Sequence, residues 1–403
     1  LDELIDESRK RGIEIMMDLV MNHTSDRHPW FAESRSSRDN PKRDWYIWAD
    51  AEDGKLPNNW ESYFVDKAWT KDETTGSYYM HQFYAEQPDL NWNNPEVVHE
   101  MIDMIRWWAA KGIRAFRLDA IHHIGKPEGL PDAPEPDHPF GRRVIRNTGF
   151  THELLNRVAE ETFIPGGAMT VGETGGTSFE DARRYVSRRR KELDMVFHFE
   201  HVYPMEMSAA ALRKHFKSWY DALSGEGWDA VFFSNHDLPR HVSIFGDDGE
   251  HREDCAKSFA VMLMTLWGTP FIYQGEELGM TNVRFPSLED YPDPSSKRWI
   301  EYSMKKGFTR EEAVEFFYKK NRDNARTPMQ WSAEKNAGFT SGTPWIGVNP
   351  NHISIHAEAQ ENDPDSVLSF YRNLAALRRK TSAIRRGDFS LFDAGDDDIF
   401  AWT

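Results

Sequence analysis

GIRAFRLD (Gly112 to Asp119) is the stretch that decides the fold: a glycine ends a helix-like segment, an apolar run follows, and the run closes on a carboxylate. Three other stretches are built the same way. They are IEIMMDLVMNH (Ile13 to His23), MTVGE (Met169 to Glu173) and AVFFSNHD (Ala230 to Asp237), which place Asp18, Glu173 and Asp237 beside Asp119 as acidic landmarks on apolar runs. Short apolar runs alternating with helical stretches are the pattern of a parallel sheet made of βα units. Where such a sheet closes into a barrel, the strand C-termini line one face, and carboxylates from distant parts of the chain converge there.

Working outward, the strands are expected at Ile13 to Val20, Gly112 to Leu118, Met169 to Gly172, Met195 to Phe199, Ala230 to Phe233 and Thr269 to Tyr273. The segment Pro95 to Lys111 has helical spacing at Val98, Met101, Ile102, Ile105, Trp108 and Ala109, with Pro95 suited to the first turn and Gly112 to the stop. Six strands do not close an eight-stranded barrel, and an open sheet would leave two long edges unpaired. The expected fold is therefore an α/β (β/α)8 TIM barrel whose first two strands are missing from the chain. Leu1, Leu4 and Ile5 agree, because their helical spacing has no start signal before it. The expected divisions are a partial barrel at 1–24 and 95–280, an inserted subdomain at 25–94, a second excursion at 281–364, a last barrel helix at 365–382, and a truncated C-terminal β-domain from 383 to 403.

Composition narrows the function. Of the 403 residues, 66 are acidic and 49 basic, a formal net charge of -17 that disfavours nucleic acid and anionic membrane as partners. A lone cysteine, Cys255, rules out an internal disulfide and fits a cytoplasmic setting. No run reaches the roughly eighteen apolar residues of a membrane helix. Fifteen tryptophans suit sugar stacking, although buried tryptophans are more often core.

Arg117 and Asp119 lie two apart on a strand and face the same way, so the guanidinium orients a carboxylate suited to nucleophilic attack. In isolation, an R-x-D pair fits a structural ion pair equally well. Glu173 precedes Thr174-Gly175-Gly176, a sharp exit that would leave its carboxyl at the rim, although a lone strand-terminal Glu fits a helix cap equally well. Asn22-His23 and Asn235-His236 offer donors and acceptors for the hydroxyls of a polyol. The competing reading is a metal site using His23, His236 and the carboxylates, with His122-His123 and His198/His201 raising the same suspicion, but no HExxH or comparable ligand spacing occurs. Phosphate-loop, dinucleotide and G-x-S-x-G signatures are absent.

Taken together, DLVMNH (Asp18 to His23), FRLDAIHH (Phe116 to His123), VGET (Val171 to Thr174) and SNHD (Ser234 to Asp237) resemble, in order, the four conventional blocks of glycoside hydrolase family thirteen, the α-amylase family. QPDLNW (Gln87 to Trp92) resembles its fifth, and QGEELGMTN with NRDNARTPMQW (Asn321 to Trp331) resembles its oligo-1,6-glucosidase and α-glucosidase branch. The resemblance implies Asp119 as nucleophile, Glu173 as general acid and base, and Asp237 as a third carboxylate that binds sugar hydroxyls. It implies Arg117 and Asp18 as supports of that cluster, His23 and His236 as glucose-binding imidazoles, Phe83 as a wall of the sugar site, and Arg322 or Arg326 as a hydroxyl clamp. Ala120 stands where α-1,6-preferring members have Val, so the resemblance leans toward α-1,4 links. His122, Leu238 and Ile244 depart from the branch at positions that bear on the leaving group. No cofactor is implied; a structural calcium, where the family binds one, belongs to the missing N-terminal segment. The implied partner is a small oligosaccharide or disaccharide, cleaved with retention. A transglucosylase or sucrose isomerase shares the same triad, whereas non-catalytic, transporter-associated relatives tend to lose the carboxylates that this chain keeps.

Overall fold

The structure is a computed structural model that describes residues 1–51, 55–64, 67–136, 143–202, 208–396 and 398–403, without the side chains of 295–297. By internal contacts the chain forms two compact units, Leu1–His198 with Ala222–Trp228, and Phe199–Asp221 with Asp229–Thr403.

The first unit carries strands β1 (Met16–Val20), β2 (Trp48–Ala49), β3 (Trp69–Lys71), β4 (Tyr78–Met80), β5 (Ala115–Asp119), β6 (Met169–Glu173) and β7 (Met195–Phe197). β1, β5, β6 and β7 pair side by side in that order, all parallel. Ala115, Phe116 and Leu118 of β5 are buried, as expected of a parallel strand covered on both faces. The helix before β5, Pro95–Ala110, starts where Asn94 accepts a hydrogen bond from Glu96 N at 2.9 Å and Pro95 occupies the first turn. It buries Val97, Val98, Met101, Ile102 and Ile105, and the chain turns away two residues past its end at Gly112, whose φ of 99° suits glycine.

Within residues 25–94 lies a separate antiparallel sheet, order β2-β4-β3, over a core of Ile47, Trp60, Ala68, Trp69 and Met80. Its tryptophans are core residues with satisfied indoles: Trp60 Nε1 donates to Pro131 O at 2.8 Å, and Trp69 Nε1 to Asn58 Oδ1 at 2.8 Å. Much of the tryptophan richness of this segment is therefore packing.

The second unit carries β8 (Ala230–Val231) and β9 (Thr269–Pro270), parallel to each other, and an antiparallel pair, β10 (Leu391–Phe392) and β11 (Ala401–Trp402). β8 and β9 are shorter than their apolar runs, although Phe271 N still donates to Val231 O at 2.8 Å. Phe232 and Phe233 leave the ladder yet stay buried. The helices Arg252–Thr265 and Val367–Lys380 enclose a core of Val231, Phe233, Phe259, Leu263, Val367 and Tyr371. The second helix begins two residues later than the expected start at 365, because Ser366 caps it through Ser369 N. Residues 281–364 hold a core of their own, with Val283, Phe285, Tyr291, Ile300, Ala313 and Phe317.

Candidate active site

The parallel register of the first unit assembles its polar cluster. Asp18 of β1 stands opposite Arg117 of β5, while Asp119 and Glu173 are the last residues of β5 and β6. Paired residues of parallel strands share a face, and Asp119 lies two residues beyond Arg117 on that same face. Arg117 Nη1 donates to both oxygens of Asp18, at 2.7 and 2.8 Å, and to Asp119 Oδ1 at 2.8 Å, while Nη2 donates to Glu173 Oε2 at 2.6 Å. One guanidinium thus serves three carboxylates, not Asp119 alone. Burial disfavours its charge, but Glu173, Asp119 and Asp18 outweigh that penalty and raise its pKa further. Ala120, only 4% exposed and with φ of 44°, turns its N–H onto Glu173 Oε2 at 3.2 Å.

His23 follows β1 and lies 2.9 Å from Gln87 Nε2, its ring 5.2 Å from that of Phe83. Phe83 in turn stacks on Tyr63, whose hydroxyl is 3.1 Å from His123 Nε2. Burial lowers the pKa of His23 against the pull of Asp89 and Asp119, which leaves a neutral imidazole at neutral pH. Asn22 has a structural task instead of a hydroxyl-binding one: it is fully buried, and its Oδ1 accepts from Lys126 Nζ at 2.7 Å. Lys126 also pairs with buried Asp89 at 2.6 Å and donates to His123 O at 2.6 Å. His122 places Nδ1 3.0 Å from Glu173 O and so braces the backbone of that residue.

In the second unit Asp237 emerges six residues beyond β8. Asn235 Oδ1 accepts its N–H at 2.8 Å, a local turn that aims the carboxyl. Asp237 Oδ1 accepts from Arg322 Nη1 at 3.2 Å and from Arg326 Nη2 at 2.7 Å, and its Oδ2 faces His236 Nε2 at 3.4 Å. Arg326 Nε donates to His236 O at 3.0 Å. Both arginines therefore contact Asp237. Arg240 is fully buried, with Nη1 on Gln274 O at 2.5 Å and Nη2 on Ala325 O at 3.2 Å, and it steadies the turn that carries Arg326.

The first unit brings together Asp18, His23, Phe83, Arg117, Asp119, Ala120 and Glu173; the second brings together His236, Asp237, Arg322 and Arg326. Sequence reading alone misses Lys126, Arg240 and Asp293, the last of which grips Arg322 through both of its oxygens. Lys126 and Arg240 lie close to the recognised blocks, but nothing marks them as buried. Among the described residues no helix is long and apolar enough to cross a membrane.

Residues 1–387 match the family described as the alpha amylase catalytic domain. The chain is 45% identical over 410 residues to the probable oligo-1,6-glucosidase 3 of Bacillus subtilis, an alignment covering 100% of this chain and 74% of that protein. It is 46% identical over 418 residues to the oligo-1,6-glucosidase of Parageobacillus thermoglucosidasius, covering 99% of this chain and 74% of that one. Among solved structures, the trehalulose synthase MutB of Pseudomonas mesoacidophila MX-45 aligns with a TM-score of 0.93 at 40% identity, over 100% of this chain and 74% of its own. Similarity of this extent, in sequence and in fold, places the chain in the α-amylase family as a TIM-barrel glycoside hydrolase of the oligo-1,6-glucosidase and α-glucosidase branch.

Proposed function

We propose that the protein is a retaining, exo-acting α-glucosidase that releases glucose from the non-reducing end of short α-glucosides, with a preference for α-1,4 links. Asp119 is the nucleophile, Glu173 the acid and base, and Asp237 the third carboxylate. The observation that supports this most is Arg117, which reaches Asp119 and Glu173 at once. A shared guanidinium keeps two carboxyls close, and retaining enzymes need them about 5–5.5 Å apart, whereas inverting enzymes need room for a water between them.

With Asp119 Oδ1 tied to Arg117, the other oxygen attacks the anomeric carbon. The glycosidic bond breaks as Glu173 gives its proton to the leaving oxygen; water, deprotonated by Glu173, then cleaves the glucosyl ester and regenerates Asp119. Glu173 enters the first step protonated on Oε1, because Oε2 accepts from Arg117 Nη2 and from the N–H of Ala120. Water is the sole co-reactant, and the cation among these carboxylates is the guanidinium itself, so the chemistry asks for no cofactor. The α-1,4 preference rests on Ala120, a small residue directly after the nucleophile whose own N–H contacts Glu173 Oε2.

A second reading, sugar isomerisation, is supported by the likeness to a trehalulose synthase. One experiment separates the readings: maltose, isomaltose and sucrose are offered to the wild type and to Ala120→Val, and the products are resolved by chromatography. We expect glucose fastest from maltose, and a shift of about tenfold toward isomaltose in the variant. Isomaltose preference in the wild type defeats the α-1,4 assignment, and a rearranged disaccharide from sucrose moves the protein to the isomerases.

A further inference from the structure

The excursion at 281–364 reaches Asp237 through Arg322 and Arg326, and behind Arg322 stands a buried carboxylate, Asp293. Asp293 lies in Tyr291-Pro292-Asp293-Pro294, where a proline on each side restricts the backbone, and its own N–H donates to Asp323 Oδ2 at 3.0 Å. Its side chain is 1% exposed. Arg322 meets it fork to fork, Nε on Oδ2 at 2.5 Å and Nη2 on Oδ1 at 2.9 Å. The remaining nitrogen, Nη1, is the one that donates to Asp237.

We infer that Asp293 is a positioning residue for the hydrolysis, setting the orientation of the Asp237 carboxylate through Arg322. The inference rests on the reading of Asp237 as the third carboxylate. A guanidinium is planar, so a bidentate partner that holds two of its nitrogens also fixes the direction of the third. Loss of the fork releases two of the guanidinium's nitrogens and lets Arg322 swing further onto Asp237 and toward Oδ2, the oxygen that faces His236. Asp237 then presents less of itself to sugar hydroxyls, and the loss shows in substrate affinity as well as in turnover.

The test measures kcat and KM on p-nitrophenyl α-glucoside for Asp293→Asn, Arg322→Met, their double variant and Asp237→Asn in the full-length protein, with melting temperatures alongside. The expected result is a raised KM with a lowered kcat in Asp293→Asn, together about 10–100-fold in kcat/KM. The double variant should be no worse than Arg322→Met alone, since Asp293 acts only through that arginine. A fall in kcat at unchanged KM, the mark of a smaller folded fraction, overturns the inference. So do wild-type constants in Asp293→Asn beside an inactive Asp237→Asn, an outcome that leaves the role of Asp237 standing. An active Asp237→Asn removes that role itself. Should Asp293→Asn fail to fold, Asp293→Glu keeps the charge and shifts the fork: a raised KM supports the inference, and unchanged constants defeat it.

Discussion

In the first unit one guanidinium, Arg117, serves three carboxylates; in the second, two guanidinia, Arg322 and Arg326, serve one, Asp237. The first arrangement leaves negative charge in excess, which suits a reaction whose transition state carries positive charge on the sugar ring. The second, once Asp293 on Arg322 is counted, comes near charge balance and holds its carboxylate still, which suits recognition of neutral hydroxyls. On the proposed roles, electrostatic surplus goes with chemistry and electrostatic balance with grip.

That contrast is open to attack by mutation. The largest effect should come from Asp119→Asn, which removes the attacking oxygen and should lower kcat by about 10³-fold or more while the melting temperature holds; a variant with near-normal turnover would contradict its assignment as nucleophile. Arg117→Lys comes next. An ammonium keeps the charge but cannot span three carboxylates, so kcat should drop about 10²-fold, and a mild effect would mean that charge alone suffices. Arg326→Lys, on the balanced side, should cost about tenfold, chiefly through KM, because one charge-assisted hydrogen bond to Asp237 is lost. If it lowered kcat as deeply as Arg117→Lys does, the division between the two units would collapse.

The smallest effect concerns stability. Burial first, and then the charges of Arg146 and Lys126, push His122 down to about 3 from its ordinary 6.5, against the hydrogen bond to Glu173 O. Between those values the unfolded chain binds a proton that the folded chain refuses, so this histidine erodes stability as pH falls through that window and has no such effect above it. In His122→Asn the loss of unfolding free energy on acidification from pH 6.5 should be gentler by about 1.4 kcal/mol per pH unit. Urea titrations at pH 6.5 and 5 measure that slope.

How far the sequence discloses all this depends on the range of the signal. The six apolar runs are strands, and Arg117 with Asp119 is legible because a two-residue spacing dictates a common face. That Asp18 joins them depends on the β1–β5 register, which no local pattern encodes. Strand ends are less legible: burial continues to Phe233 while pairing stops at Val231, and hydrophobicity reports only the burial. Counter-charges are the hardest to foresee. Asp293 pairs with Arg322 across 29 residues, and Lys126 with Asp89 across 37, distances at which sequence carries no periodicity. Each looks like an ordinary polar residue of a loop until the fold buries it.

The left-handed backbone at Ala120 has a consequence for how this position diverges. A β-branched side chain at φ of 44° is a steric outlier, costing on the order of 1–3 kcal/mol wherever the surroundings do not already enforce it. A lineage that exchanges this alanine for valine must therefore spend conformational stability at the outset. The exchange should then favour backgrounds with stability in reserve, which makes robustness elsewhere in the chain a precondition for change at the residue after Asp119.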